Sequence, residues 1–311
     1  MNSATGQVQA VAMPRQRKLV SRAMRRHLIS YLFLTPYMIL FIVFIIAPVI
    51  AAVYLSGTYY NMLQSPRWIG VSNYRLLFLD DDVFMIAVSN TVNFALITGP
   101  LSYAISFMLA WLINQLRFKT PFTLAFYTPS ITSAIAMAVI WRYIFSNDRY
   151  GLLNNLLMGM GIFSEPYPWL LSKETILPVI EFVSLWMSMG TNFLVFLAGL
   201  QTVPRELYEA GKMDGVGSAR QEIWYITLPM MRPQLLFGAV MAIVSSFSVF
   251  QVAIQLAGLP SPLYAGHTIV AHLYDYAFIR FEMGYAAAIA VVLFAFTFLC
   301  GRVAMVLLGD R

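Results

Sequence analysis

The chain has 311 residues, 59% of them hydrophobic and only 11% charged. Soluble domains carry about 25% charged and about 45–50% apolar residues, so a soluble enzyme is excluded, as is a disordered chain, which needs low hydrophobicity and high charge. The single cysteine, Cys300, excludes a disulfide framework and a cysteine-rich metal site, and the net charge of +6 must be read from where the charges lie.

Residues 1–29 form a basic tail without an acid. Its composition also fits an organelle transit peptide, but the same charge bias continues along the chain. The tail is therefore expected to be a solvated cytoplasmic segment that fixes topology. A cleaved signal peptide is not expected, because the first apolar run is too long and no small-residue cleavage site follows it.

Six apolar runs follow, at about residues 32–55, 83–112, 122–145, 176–200, 235–256 and 283–308. Each suits a membrane-spanning helix, which needs roughly 20 apolar residues. The runs are too long and too continuous for the alternating strands of a β-barrel. The fold class is all-α: a polytopic membrane protein with six transmembrane helices, in which residues 30–311 form one transmembrane domain. Six spans put both termini on one side. That side holds 14 of the 20 Lys and Arg residues and the other holds 6, so both termini are assigned to the cytoplasm. Asp80, Asp81, Asp82, Asp148, Glu165, Asp275 and Glu282 fall on the outer side. The positive balance is a topology signal, and no nucleic-acid partner is expected.

The outer loops carry Pro66, Trp68, Pro166, Pro168 and Trp169, which reads as interfacial anchoring. The cytoplasmic loop 201–234 is too polar to span and too long for a turn. Pro204 can begin a helix at its first position, Glu206, Leu207, Glu209 and Ala210 continue it, and Gly215 and Gly217 can stop it. A second short segment, residues 218–227, ends before Pro229. Two short helices with a small-residue elbow suit docking to a partner, with Glu206 and Glu209 available for charge pairing. Ala210, Gly211 and Gly215 would let another backbone come close.

Within the spans, Glu181, Ser184, Ser188, Thr191 and Asn192 recur at spacings that share one helical face, and so do Ser245, Ser248, Gln251 and Gln255. Hydroxyls and amides both donate and accept hydrogen bonds, and Trp186 and Phe250 would add aromatic surface. Ser188, Thr191, Asn192, Ser245, Ser248, Gln251 and Gln255 are therefore assigned to a substrate path suited to a neutral sugar. The alternative is that such residues only join helices to one another. Glu181, the only acid within a span, is expected near the outer interface in water, with pairing to Arg142 or contact with substrate as alternatives. Arg302 is expected to snorkel to the cytoplasm. His267 and His272 stand five apart, which is not one-face helical spacing, so no metal site is expected.

The cytoplasmic loop resembles the signature of binding-protein-dependent ABC importer permeases, in which Glu-Ala-Ala is followed after three residues by Gly and later by Ile-x-Leu-Pro. Here the pattern reads Glu209-Ala210-Gly211, then Gly215, then Ile226-Thr227-Leu228-Pro229. Gly211 stands for the second Ala, and ten residues, one more than the pattern has, separate Gly215 from Ile226. Trp141-Arg142, Gly151-Leu152-Leu153-Asn154, Pro168-Trp169-Leu170, Phe250-Gln251, Ala277-Phe278 and Met283-Gly284-Tyr285-Ala286 are similar to the sugar-permease subgroup of maltose and glycerol-phosphate type, in which Gly258-Leu259-Pro260 replaces Gly-Gly-Pro. The resemblance implies a transport subunit of a bacterial cytoplasmic membrane that carries out no covalent chemistry. It implies a second permease subunit, two ATPase subunits that hold ATP and Mg, and an extracytoplasmic solute-binding protein. It assigns Glu209, Ala210, Gly211, Asp214 and Gly215 to coupling with the ATPase. The chain has no Gly-x-x-x-x-Gly-Lys-Ser/Thr phosphate loop, so no cofactor is expected in it. The implied cargo is a sugar or oligosaccharide. A sugar-like phosphate is the alternative, and ion-coupled transport, resting on Glu181 alone, is less favoured.

Overall fold

The computed structural model describes residues 30–308, and the basic tail lies outside the described residues. Helix α1 (Ser30–Ser56) is long and apolar enough to span a bilayer. Over Ile42–Ile46 it winds one residue wider, with Ala47 N–H bonded to the carbonyl of Ile42. Pro48 follows at once and has no N–H to offer the normal ladder. Contacts divide the chain inside this helix, into Met1–Ala51 and Ala52–Arg311. In the first unit Phe33, Ile39 and Phe44 are all exposed, an apolar surface of the kind a bilayer or another chain covers.

The second unit continues with a two-residue antiparallel pair, β1 (Thr58–Tyr59) and β2 (Arg67–Trp68). Then come α2 (Asp82–Asn114), α3 (Lys119–Ile131), α4 (Ala134–Ile144), α5 (Leu152–Gly159) and α6 (Ile176–Thr202). They are followed by α7 (Arg205–Met213), α8 (Ala219–Glu222), α9 (Arg232–Phe247), α10 (Gln251–Ala257), α11 (Ile269–Tyr274) and α12 (Met283–Leu308). Among the described residues five helices have membrane-spanning length, counting Arg232–Ala257 as one, or six if α3 and α4 count as one bent span.

Two of the six expected runs are not continuous helices. The third breaks between α3 and α4, which meet at 95°. Pro129 lies inside α3, where it removes a helical hydrogen bond, and Thr132 leaves the helix in extended backbone. The fifth stops at Phe247 and restarts at Gln251, with Phe250 at φ −143°, ψ −64°. There the Ser248 N–H turns back to the carbonyls of Val244 and Ser245, and Thr268 Oγ1 donates to the carbonyl of Val249 at 3.1 Å. Irregular backbone at membrane depth is tolerated only where protein or a wet cavity meets its polar groups.

Helix α6 is the axis of the packing. Phe193 and Phe196 are buried with Ala110 and Ile113 of α2, and Ile176, Ile180 and Val183 are buried with Phe94, Val249 and Ala253. Gly190 sits against Tyr127 and Ser130 of α3, where any Cβ would overlap the Ser130 side chain. Small residues of this kind let membrane helices approach closely. The loop before α6 is organised by buried Asn154. Its Nδ2 donates to the carbonyls of Ser146 (3.0 Å) and Tyr167 (2.9 Å), and its Oδ1 accepts from Trp169 Nε1 at 2.8 Å.

Asp81 joins three elements far apart in sequence. Oδ1 accepts from Phe84 N–H at 2.9 Å and so caps α2. Oδ2 accepts from Tyr285 Oη of α12 at 2.6 Å and from His272 Nε2 of α11 at 3.0 Å. His272 Nδ1 lies 3.2 Å from His267 Nε2, and His267 Nδ1 is buried without a partner. With both rings neutral, His272 donates to Asp81 and accepts from His267, which leaves the bare Nδ1 of His267 outermost. The spacing of the two histidines had pointed away from a shared helical face. They meet because His267 lies in the loop before α11, while His272 lies on the helix. Among the described residues no group of three or more metal-ligating side chains is placed to hold a metal ion.

Burial pushes the Asp81 carboxyl up, but the bonds from Tyr285, Phe84 N–H and His272 outweigh it and hold it below its ordinary value. Burial, helped by the neighbouring His272, pushes His267 down from 6.5 to about 4. Both shifts are depressions, so both contribute stability that is present at neutral pH and lost on acidification. Thermal unfolding of the purified protein is expected to show a falling midpoint from pH 6.5 towards pH 4, and a flat profile would refute the assignment. Asp81→Ala removes all three bonds and should cost about 3 kcal/mol or more at pH 7.

Candidate functional site

A cavity of about 500 Å³ opens where α2, α6 and the break between α9 and α10 converge. Phe94, Thr98 and Ser102 line it from α2, Ser184, Met187 and Ser188 from α6, and Ser245, Ser246, Ser248, Phe250 and Gln251 from the broken span. No Asp, Glu, Lys or Arg is among these residues. Thr98 donates to the carbonyl of Phe94 (2.7 Å), Ser102 to Gly99 (3.1 Å), Ser188 to Leu185 (3.2 Å) and Ser246 to Ala242 (2.6 Å). Each of these hydroxyls therefore gives its proton to its own helix and keeps oxygen lone pairs as acceptors. The Ser184 hydroxyl is buried and has no partner. A wall of acceptors, with the Gln251 amide beside it and Phe94 and Phe250 as apolar surface, matches a neutral molecule rich in hydroxyl donors.

Of the residues assigned to a substrate path, the structure brings Ser188, Ser245, Ser248 and Gln251 to this cavity. Thr191, Asn192 and Gln255 are not among its lining residues. Thr191 is exposed, Asn192 is buried in packing and Gln255 is half-buried. The single face drawn through Ser245 and Gln255 assumes an unbroken helix, and the break at residues 248–250 redirects it. Thr98 and Ser102 were missed, although their spacing of four within an apolar run was a readable signal. Glu181 does not stand in water as expected: it is 7% exposed, and its Oε1 has no partner. Arg142 is exposed and forms no pair with it.

The loop 201–234 folds as two short helices. Pro204 is the N-cap of α7 rather than its first residue, since its backbone is extended and the helix begins at Arg205. Gly215 ends the element at φ +91°, a conformation that favours glycine. Ser218 caps α8 in a reciprocal capping box with Gln221. Tyr208 Oη lies 3.0 Å from Thr227 Oγ1, and a Cβ at Gly211 would lie 2.7 Å from Ile226 Cδ1. Gly211 thus packs against the Ile226 side chain of the same loop. Glu209, Ala210, Asp214 and Gly215 are exposed, and among the described residues neither acid forms an ion pair.

A bundle of membrane-length helices, with a charge-free hydroxyl-lined cavity inside and a folded polar loop at one end, defines a membrane transport subunit. Residues 102–309 match the family described as binding-protein-dependent transport system inner membrane component. The chain is 33% identical over 277 residues to the probable ABC transporter permease protein YesP of Bacillus subtilis, covering 88% of each chain. It is 32% identical to the arabinooligosaccharides transport system permease protein AraP of the same organism, covering 90% of this chain and 88% of that one. Its fold is similar to that of a bacterial alginate ABC transporter chain, with a TM-score of 0.78 at 22% identity, over 91% of this chain and 94% of the other. The chain belongs to this family of permeases, which are transport components of binding-protein-dependent systems and not enzymes.

Ser184→Ala removes a hydroxyl that bonds to nothing, so stability should stay within about 0.5 kcal/mol of wild type. Asn154→Ala leaves Tyr167 N–H and Trp169 Nε1–H without their acceptor and should cost about 2–3 kcal/mol. Parallel thermal melts of the two variants check the contrast.

Proposed function

We propose that this chain is one permease subunit of an ATP-driven importer that carries a sugar or oligosaccharide across a bacterial cytoplasmic membrane. A second permease subunit would complete the pore, two ATPase subunits would hold ATP and Mg, and an extracytoplasmic solute-binding protein would deliver the cargo. Both termini face the cytoplasm, α3 and α4 together make one span, and six spans result. Two relatives named for a saccharide, AraP and the lactose transport system permease protein LacF of Rhizobium radiobacter, match 90% and 85% of this chain.

The observation that carries the reading is the charge-free, acceptor-rich cavity at the broken span. A hydroxylated cargo loses water on entry and needs a partner for each hydroxyl, because a buried unpaired polar group costs about 1–3 kcal/mol. The relative UgpA of Agrobacterium fabrum is named for sn-glycerol-3-phosphate transport. A phosphate cargo is disfavoured here, since no Lys or Arg lines the cavity to receive it. The exposed Glu209, Ala210, Asp214 and Gly215 would form the surface presented to an ATPase subunit.

ATP hydrolysis by the reconstituted complex, with its binding protein, should rise with saccharides and not with an ion gradient. Gln251→Leu should lower saccharide import at least tenfold while leaving the amount of assembled complex unchanged. Loss of import only in proportion to lost complex would make Gln251 structural. Glu209→Lys should weaken assembly or uncouple hydrolysis from import. In a Cys300→Ser background, cysteines placed at Ser172 and Ser218 should be labelled from opposite sides of the membrane, and same-side labelling would reject the topology.

A further inference from the structure

We propose that Arg220, Trp224 and Tyr225 form a binding site for the headgroup of an anionic phospholipid, at the level where the membrane helices end. The loop 201–234 carries one residue more than the family pattern between Gly215 and Ile226. Residues Ile223–Thr227 wind as a π-turn, closed by Leu228 N–H on the carbonyl of Ile223, and such a turn holds one residue more than an α-helical one. Its two sides differ. Ile226 and Thr227 are buried, while Trp224 and Tyr225 are 68% and 66% exposed. A cavity of about 270 Å³ opens on the exposed side, lined by Arg220, Gln221, Trp224 and Tyr225.

The chemistry of this cavity is the reverse of that inside the bundle. Arg220 presents five N–H donors and a fixed positive charge, Trp224 an indole N–H and Tyr225 a hydroxyl. Gln221 Oε1 accepts from the N–H groups of Gly217 (3.1 Å) and Ser218 (3.2 Å), which leaves its amide nitrogen to donate. No Asp or Glu lines the cavity. Arg220 forms no ion pair among the described residues, and the nearby Glu222 lies 3.9 Å from Lys212. Donors around an unneutralised guanidinium suit a phosphate, which arginine binds through two parallel hydrogen bonds. Depth decides which phosphate. Ile226 is buried in one cluster with Ile113, Leu200 and Val203, at the ends of α2 and α6, and α9 starts at Arg232. The turn therefore stands where three helices of membrane-spanning length end. Exposed Trp and Tyr side chains at that level sit among lipid headgroups, and a cation there favours lipids of net negative charge. The site needs the bilayer but neither the cargo nor the ATPase, so it stands or falls separately from the saccharide reading.

The test holds the full chain, in its assembled complex, in phosphatidylcholine nanodiscs. Phosphatidylglycerol or phosphatidylcholine with brominated acyl chains, which quench nearby tryptophan, then replaces the host lipid stepwise. Subtracting the signal of Trp224→Phe in each background isolates Trp224 from the other tryptophans. In the wild type, phosphatidylglycerol should associate with the Trp224 site about fivefold more strongly than phosphatidylcholine. Arg220→Gln should bring that ratio close to one, with Trp224 still quenched by both lipids. Arg205→Gln, which removes an exposed cation of α7 outside the cavity, should leave the ratio unchanged, as should excess inorganic phosphate at constant ionic strength. Equal association of the two lipids in the wild type, an unchanged ratio in Arg220→Gln or an equal fall in Arg205→Gln would overturn the site. So would a ratio abolished by inorganic phosphate, which would make the ligand a free anion. A Trp224 signal that neither lipid quenches would show a protein partner covering the turn and would also refute the proposal. Failure of Arg220→Gln to assemble would do the same, by making Arg220 a structural contact.

Discussion

A single carboxylate fixes the geometry on which the cavity depends. Asp81 caps the first turn of α2 and holds α11 through His272 and α12 through Tyr285. These elements are brought together across nearly two hundred residues of chain, and no apolar contact has comparable directional demand. α2 supplies one wall of the cavity through Phe94, Thr98 and Ser102. α11 follows Thr268, whose hydroxyl takes the Val249 carbonyl at the break. The capping of one helix and the tying down of the break are thus parts of one arrangement. Burial strengthens it, because a hydrogen bond in a low dielectric is electrostatically stronger than in water.

The cavity is a product of interruption. A straight fifth span would bury its serines against neighbouring helices, as Ser106 is buried on α2, donating to the Met189 carbonyl at 3.0 Å. Ending α9 at Phe247 and starting α10 at Gln251 opens space between them and aims polar groups into it. The carbonyls and N–H groups released by the break need partners, and Thr268 and the turn at Ser248 supply part of them.

The long apolar runs made the spans legible, because twenty consecutive apolar residues have few other solutions. The breaks were not. Pro129 lies three residues before the bend, and residues 248–250 contain neither proline nor glycine, so local preference carries no mark of the second break. Burial of Glu181 was equally hidden, since a residue in the second turn of a span can face water or protein with the same sequence around it. The histidine pair was missed because one-helix spacing is the wrong test for a loop residue meeting a helix residue. The paired helices of the loop 201–234 were readable from Pro204 and Gly215. The packing of Ile226 on Gly211 was not, since it joins two segments of the loop fifteen residues apart.

The path from the loop 201–234 into α9 has a mechanical consequence. Ile226 and Met231 are buried with Phe196 of α6, and α9 begins at the next residue, Arg232. Its 16 residues make a stiff rod roughly 24 Å long that ends at Ser245 and Ser246 on the cavity wall. Beyond it the helix is interrupted at residues 248–250, while α10 packs on α6 and α11 is tied to Asp81 through His272. α9 packs along α2, α12 and α6, so it is a rod joined at one end to the loop and at the other to the cavity wall. A displacement of the loop would be carried rigidly to the serine-bearing tip, and the interruption at residues 248–250 would limit it to one lip of the cavity.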